Sequence, residues 1–477
     1  MSTIDPNSAR GICAALQAGE LSCESFMRTT YARINEVNPQ VNAIVNLLDE
    51  GQAIALAKQA DQIPVADRGP LHGLPMATKD AVDTVGFPTT WGFEPWKDRH
   101  PKEDDGQTQR LRGAGAIFIG HTNMPEFGLG SNTFNSLFGA TRNPYDLSRT
   151  AGGSSGGAAV ALATGMLPLA DGSDMGGSLR NPASFCNVVG FRPSIGRVPN
   201  GRGFGWACRL ATTGPMAKSV ADLALLFSVQ AGPDSSDPLT LPESGDYFLD
   251  AYEPFADLTG LKVAYCPNLH GIPIDPEVTQ VLEQCAATFA TLGAQLDQTG
   301  PDLADAMDVF QTQRAQGLAV VANALDATIP DWKQHAKDTA VWNMEKGQAL
   351  ALKEVIDAEV KRTQIYAHVA EFFAEYDALL LPAAQVPPFD LNQEWVDEID
   401  GTRMETYIDW MTVCCAITVT GLPAISIPGG FTPDGLPVGL QIVGKPRGDL
   451  DLLRIAHTFE QATKHGRRKP QIFAGQH

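Results

Sequence analysis

The stretch A-G-G-S-S-G-G-A-A-V-A-L-A-T-G-M-L-P-L-A-D-G-S-D-M-G-G-S-L-R-N-P, from Ala151 to Pro182, decides how this chain folds. It reads as a glycine loop, a helix of small residues over 158–164, a short buried strand at Leu167–Ala170 and a second glycine loop. A helix followed by a strand, with a tight loop at each end, is a unit of α/β architecture. Ser154 lies in the first loop and Ser178 in the second, 24 positions later. The helix and strand between them fold the second loop back over the first. The paired glycines before each serine let the backbone approach a ligand closely. A lone glycine-serine run is usually a flexible loop. Two such runs with distinct flanks read as a site where hydroxyls and backbone N–H groups face one reacting atom.

Outward from this stretch the α/β pattern continues. Strands are expected at Ala116–Ile119, Leu261–Tyr265, Ala378–Leu381, Ala424–Ile427 and Val438–Val443. Helical spacing is expected over 106–115, 276–292, 304–326, 350–375, 403–418 and 449–463. Near the N-terminus, Asn7 or Ser8 caps a helix ending near Gly19, and Ser22 caps another that stops before Pro39. Residues 71–80 read as a loop or short strand. The fold class is α/β, with a large, mixed, mostly buried sheet surrounded by helices. Residues 230–260 and 383–400 read as surface excursions, and neither marks a domain boundary.

Bulk properties bound the function. The 477 residues carry a net charge of −20, which argues against nucleic acid or an anionic membrane as the partner. The serine segment itself is not acidic, because Arg142, Arg149, Arg180, Arg192 and Arg197 outnumber Asp146, Asp171 and Asp174. Eight scattered cysteines without a C-x-x-C pair predict a reducing compartment with neither disulfides nor structural zinc. No signal peptide and no membrane span are legible, so a cytoplasmic protein is expected.

The chemistry begins at Ser178. Met175, Gly176, Gly177 and Ser178 present successive N–H groups, a concavity suited to an anion or to the oxyanion of acyl transfer. Asp174 and Arg180 bracket this loop and are expected to pair and hold its shape. A serine needs a base. No histidine lies near either serine, and the candidate is Lys79, at the end of the apolar run Leu71-His72-Gly73-Leu74-Pro75-Met76-Ala77-Thr78-Lys79. A buried lysine has a lowered pKa and can act as a base. On local sequence alone, a surface lysine paired with Asp80 is the stronger reading.

The combination G-L-P-M-A-T-K-D, G-G-S-S-G-G and D-M-G-G-S-L-R-N-P resembles the amidase signature family. The phrases Thr122–Phe127, Phe138–Pro144, Val189–Pro193, Thr213–Pro215, Thr420–Pro428 and Gly435–Gln441 extend the resemblance over most of the chain. It is weakest over 230–375. The resemblance implies one domain over 1–477, with a catalytic core at 65–225, a variable substrate-shaping region at 230–400 and C-terminal strands and helix at 403–465. It also implies a triad with Ser178 as nucleophile, Ser154 as bridging serine on a cis peptide bond, and Lys79 as base. No metal or other cofactor is implied. The expected partner is a small-molecule amide, with esters and carbamates as further substrates, and a homodimer is allowed for. Within the family, a glutaminase subunit of a tRNA-dependent amidotransferase is the alternative. A non-catalytic binding relative is a third reading, which the retained Lys79, Ser154 and Ser178 argue against.

Two generic motifs mislead. Gly152–Gly156 satisfies G-x-S-x-G, but Leu147–Ala151 does not read as the buried strand that motif requires. Gly439–Lys445 imitates a P-loop inside a strand until Pro446 replaces the required hydroxyl residue. For the substrate pocket, Gly128, Phe204 and Trp206 are the candidates, with Trp332, Trp342, Trp395 and Trp410 as further tryptophans in the variable part. Aromatic lining would favour an aryl or long acyl amide.

Overall fold

The computed structural model describes residues 5, 8–200, 209–269 and 271–473. The chain opens with helices α1 (Ala9–Ala18) and α2 (Cys23–Val41), strand β1 (Ile44–Val45) and helix α3 (Glu50–Asp61). The Ser8 and Ser22 hydroxyls cap α1 and α2, accepting from the N–H groups of Gly11 and Ser25. Asn7, the alternative cap for α1, lies outside the described residues. Helix α2 runs through Pro39 instead of stopping before it. The proline falls in the last turn, where Asn38 ties off the chain. Its carbonyl accepts from Asn42 N–H, and its side chain accepts from Ala43 and Ile44 N–H.

Next come β2 (Pro75–Lys79), α4 (Gly106–Gly113), β3 (Ile117–Thr122), β4 (Arg142–Asn143), β5 (Asp146–Thr150), α5 (Gly156–Ala163), β6 (Leu169–Asp174), α6 (Arg180–Cys186), β7 (Val189–Arg192), β8 (Thr212–Ala217) and α7 (Val220–Gln230). The stretch 151–182 is therefore loop, helix, strand and loop, with the strand reaching Asp174. Residues 147–150, expected not to form a buried strand, belong to β5, a partly exposed strand that pairs with β4 in a two-stranded ribbon and bridges Asp390 through Arg149. Helix α7 escaped the sequence reading because it is apolar nearly all round, so no polar face marks its period.

The C-terminal part supplies β9 (Lys262–Tyr265), α8 (Pro276–Thr291), β10 (Gln295–Asp297), α9 (Ala306–Thr328), α10 (Asp338–Gln348), α11 (Leu352–Glu375), β11 (Ala378–Pro382), β12 (Glu398–Ile399), β13 (Thr402–Arg403), α12 (Thr412–Thr420), β14 (Ala424–Phe431), β15 (Pro437–Gly444) and α13 (Asp449–Thr463). The helix expected over 403–418 is confined to α12. Before it, the Asp409 carboxylate accepts from the Thr406 N–H and hydroxyl and holds a turn. The two expected surface excursions are partly inside. Phe248 is fully buried against Phe227, and Ala383–Val386 are buried beside β11.

Eight strands form one mixed sheet in the order β10-β9-β11-β15-β14-β7-β8-β6. The β10–β9 and β9–β11 pairs are parallel and the rest antiparallel. Strands β1, β3 and β2 form a second sheet, in which β2 and β3 are parallel. Helices α5, α6, α7, α8 and α13 pack on the strands. One apolar cluster runs from Ala9 to Phe459. A second gathers Phe93, Phe127, Leu129, Leu318, Leu325, Trp332 and Met344. Strand β2 packs beside β6, and their C-terminal ends bring Lys79 to the two glycine loops.

Candidate active site

Lys79 ends a strand buried at all five positions and is itself 1 % exposed. Its Nζ lies 2.7 Å from Ser154 Oγ, 3.0 Å from Ser173 Oγ and 3.1 Å from Ser155 Oγ. The expected surface pair with Asp80 does not form. The Asp80 carboxylate accepts instead from the Thr90 N–H at 2.9 Å, the Gly92 N–H at 3.4 Å and the Thr90 hydroxyl. Burial pulls the Lys79 ammonium down from its ordinary 10.5 to about 7, and the charges of Asp171 and Asp174 oppose that shift. Burial also pushes Asp171 up to about 7, although its carboxylate accepts the Lys79 backbone N–H at 3.2 Å. The lysine thus has three hydroxyl neighbours and, among the described residues, no carboxylate on its Nζ.

Ser154 stands between β5 and α5, and the Gly153–Ser154 peptide bond is cis. The preceding loop is fixed from both sides. Thr133 Oγ1 donates to the Gly152 carbonyl at 2.8 Å, and the Ser131 hydroxyl donates to the Gly153 carbonyl. Gly128 lies directly opposite. A Cβ on it would sit 3.6 Å from Ser154 Oγ, and its φ of +72° is one L side chains rarely adopt.

Ser178 lies between β6 and α6 in a loop built around the Asp174 carboxylate. Asp174 accepts from Gly177 N–H at 3.0 Å, Leu179 N–H at 3.1 Å, and Arg180 Nε and Nη2 at 3.0 and 2.8 Å. Arg192 donates to its carbonyl. The Arg180 and Arg192 charges hold the Asp174 carboxyl well below the usual carboxylate range, against the cost of burial. Of the four N–H groups expected to face an oxyanion, that of Gly177 is therefore taken by Asp174. Among the described residues, the N–H groups of Met175, Gly176 and Ser178 have no acceptor, and the Ser178 hydroxyl has no hydrogen bond. The two glycine loops are joined by Ser155 N–H donating to the Ser178 carbonyl at 3.2 Å.

The structure thus gathers Lys79, Ser154, Ser178, the 175–178 loop, Asp174, Arg180 and Gly128. Phe204 and Trp206 lie outside the described residues. Trp332 and Trp410 are fully buried, Trp395 is partly buried on the main core, and Trp342, 39 % exposed, packs edge-on to Tyr407. Sequence reading missed Ser155 and Ser173. The signal for Ser155 was its place in the same G-G-S-S-G-G run. For Ser173 it was the period-2 spacing to Asp171 along a strand. The seven described cysteines are all buried and free, and no helix among the described residues is long and apolar enough to cross a membrane.

The Amidase family profile matches residues 25–453. An acylamidase of Rhodococcus erythropolis is 35 % identical over 472 residues, covering 97 % of each chain. One subunit of the glutamyl-tRNA(Gln) amidotransferase of Geobacillus stearothermophilus is also 35 % identical, over 99 % of this chain and 100 % of that protein. The crystal structure of a bacterial aryl acylamidase of the amidase signature enzymes matches the fold with a TM-score of 0.90 at 27 % identity, covering 98 % of each chain.

Proposed function

Since this chain belongs to the amidase signature family, whose members act on amide C–N bonds, we propose that it is a stand-alone amidohydrolase working through an acyl-enzyme on Ser178. Neutral Lys79 accepts a proton from Ser154. Ser154 accepts one from Ser178 as the Ser178 oxygen attacks the amide carbonyl carbon. The N–H groups of Met175, Gly176 and Ser178 receive the developing oxyanion, the Gly177 N–H being engaged by Asp174. The C–N bond breaks as the proton returns through Ser154 to the leaving amine. Water then attacks the ester carbonyl, its proton passing to the relay. The acyl C–O bond breaks as the relay returns that proton to Ser178 Oγ, which frees the acid and restores Ser178 and neutral Lys79. The observation that carries this reading is the buried Lys79 Nζ at 2.7 Å from Ser154 Oγ, with hydroxyls instead of a carboxylate around it.

The test uses the purified protein alone on acyl anilides, primary aliphatic amides and glutamine, with a fluorophosphonate as active-serine probe. Acyl anilides head the panel because two relatives are acylamidases. Turnover and labelling are expected in the native protein. In Ser178→Ala, labelling is expected to vanish and kcat to fall by roughly a thousandfold or more. Undiminished labelling of Ser178→Ala would remove Ser178 as the nucleophile. The 35 % identity to one component of an amidotransferase favours a second reading, a glutaminase that hands ammonia to a partner. Glutamine turnover that appears only with added partner subunits would establish it. No turnover and no labelling under any condition would favour the binding relative.

A further inference from the structure

Five arginines are buried among the described residues: Arg180, Arg192, Arg197, Arg209 and Arg314. Four of them meet a carboxylate. Arg180 and Arg192 share Asp174, Arg197 pairs with Asp449 and Glu243, and Arg209 pairs with Asp237. Arg314, on α9 and 5 % exposed, meets none among the described residues. Its Nη1 donates to Asn343 Oδ1 at 3.0 Å and its Nη2 to the Tyr407 hydroxyl at 2.7 Å. A buried guanidinium satisfied only by neutral acceptors keeps most of its desolvation cost, which an anion would offset.

Tyr407 adds a second unused group. Its hydroxyl oxygen accepts from both Arg314 and the Asn343 amide, so its own proton is free to donate, and no acceptor for it occurs among the described residues. A cation without a counter-anion beside an O–H donor without an acceptor, both counted among the described residues, matches one end of a carboxylate.

The pair stands at the edge of the proposed active site. Phe310, one turn before Arg314 on α9, reaches to 3.1 Å from where a Gly176 Cβ would lie, and Cys415 Sγ to 3.2 Å. The Arg314 guanidinium lies 6.0 Å from the Phe310 ring centroid and 5.2 Å from that of Tyr407. Tyr407 Cδ2 and Lys337 Nζ come within 3.9 and 3.7 Å of a Cβ built on Gly130, two residues from the glycine opposite Ser154. Lys337 is a second cation here. Its Nζ donates to the Leu129 carbonyl, and the buried Glu126 carboxylate accepts its backbone N–H.

We propose that Arg314 and Tyr407 form a carboxylate subsite, and that the substrate is an amide carrying a carboxylate on its acyl or its amine part. This rests on the reading of Ser178 as the nucleophile, so the test has one arm that needs no catalysis. In that arm, glutarate and its neutral diamide are added to Ser178→Ala protein and its melting temperature is followed. Glutarate is expected to raise it more than the diamide does, and Arg314→Gln in the same background to abolish the difference. In the catalytic arm, glutaryl anilide is compared with valeryl anilide, and 4-acetamidobenzoate with acetanilide. One charged member is expected to exceed its neutral counterpart in kcat/KM. Arg314→Gln should cut that ratio by on the order of tenfold to a hundredfold. Tyr407→Phe, which keeps the ring and removes one hydroxyl, should cut it by a smaller factor, and covers the case that Arg314→Gln does not fold. Equal effects of glutarate and diamide, or a preference that survives both substitutions, would overturn the subsite. Loss of turnover with glutarate binding intact would count against the Ser178 reading alone.

Discussion

Lys79 is a buried charge that bears on stability and, as the proposed base, on reactivity. Desolvation sets its pKa near 7, so its neutral fraction grows between pH 6 and 8. A base works in its neutral form. The kcat/KM is therefore expected to rise with pH, reach half its plateau near pH 7 and stay high above it. Asp171 ionises in the same range, so both groups shape the acid limb. Lys79→Arg keeps the charge but cannot release a proton, and is expected to be inactive across the range. A rate that falls with rising pH between 6 and 8 would contradict the assignment. The stability sign follows from the same shift. Between about 7 and 10.5 the unfolded chain holds more protons on this lysine than the folded one, so its contribution to stability rises with pH there. Below about 7 the full cost of the buried charge is present. Lys79→Met is thus expected to raise the melting temperature more at pH 6 than at pH 9, by a few kcal/mol at most in free energy. None of this was legible locally. The residues around Lys79 favoured a surface pair with Asp80, and what defeats that pair is Thr90 and Gly92, ten and twelve positions on, which claim the Asp80 carboxylate.

At the scale of elements, β6 organises the site by alternation. Asp171 and Ser173 point to Lys79, one to its backbone N–H and the other to its Nζ. Gly172 between them leaves room for Ser155, since a Cβ there would lie 2.7 Å from Ser155 Oγ. Asp174 points the other way, into Arg180 and Arg192, and closes the loop that carries Ser178. Asp174→Asn keeps the shape but leaves two buried guanidiniums without their anion. The expected cost is about 3–5 kcal/mol of stability. A drop in kcat larger than any rise in KM should accompany it, because the same carboxylate fixes Gly177 and Leu179. Thermal melts and steady-state kinetics on one preparation check both, and a variant with unchanged melting and kcat would show that the loop holds its form without Asp174. The pairing of Asp174 with Arg180 was legible because the two bracket one short loop. Arg192 was not, because it arrives from β7, 18 residues away in sequence. Helices with a polar face, such as α8 and α13, were read nearly to their ends, whereas all-apolar α7 carried no such signal.

At the scale of the whole molecule, alternating strand and helix patterns along the chain announce the architecture, but they do not reveal that the apolar interior is divided. The main cluster holds the large sheet, and a smaller one joins α9 and α10 to the loops that carry Phe93, Phe127 and Leu129. Trp332 is the largest fully buried member of the smaller cluster, with its Nε1 donating to Asp326 at 2.8 Å. Its sequence context makes it a candidate wall of the substrate pocket. It is fully buried in the cluster that also holds Phe127, the residue before Gly128 opposite Ser154. Trp332→Ala would leave a cavity costing about 3–5 kcal/mol if nothing collapses into it. Because the cluster is separate from the main one, that loss should act locally. Amide hydrogen exchange is expected to accelerate in α9, α10 and residues 126–130, while the central strands β14 and β15 keep their protection. Activity should fall through the displaced Gly128 wall, seen as a higher KM before any loss of kcat. Equal loss of protection in β14 and β15 would show instead that the two clusters open together, and that the site and the sheet form one cooperative unit.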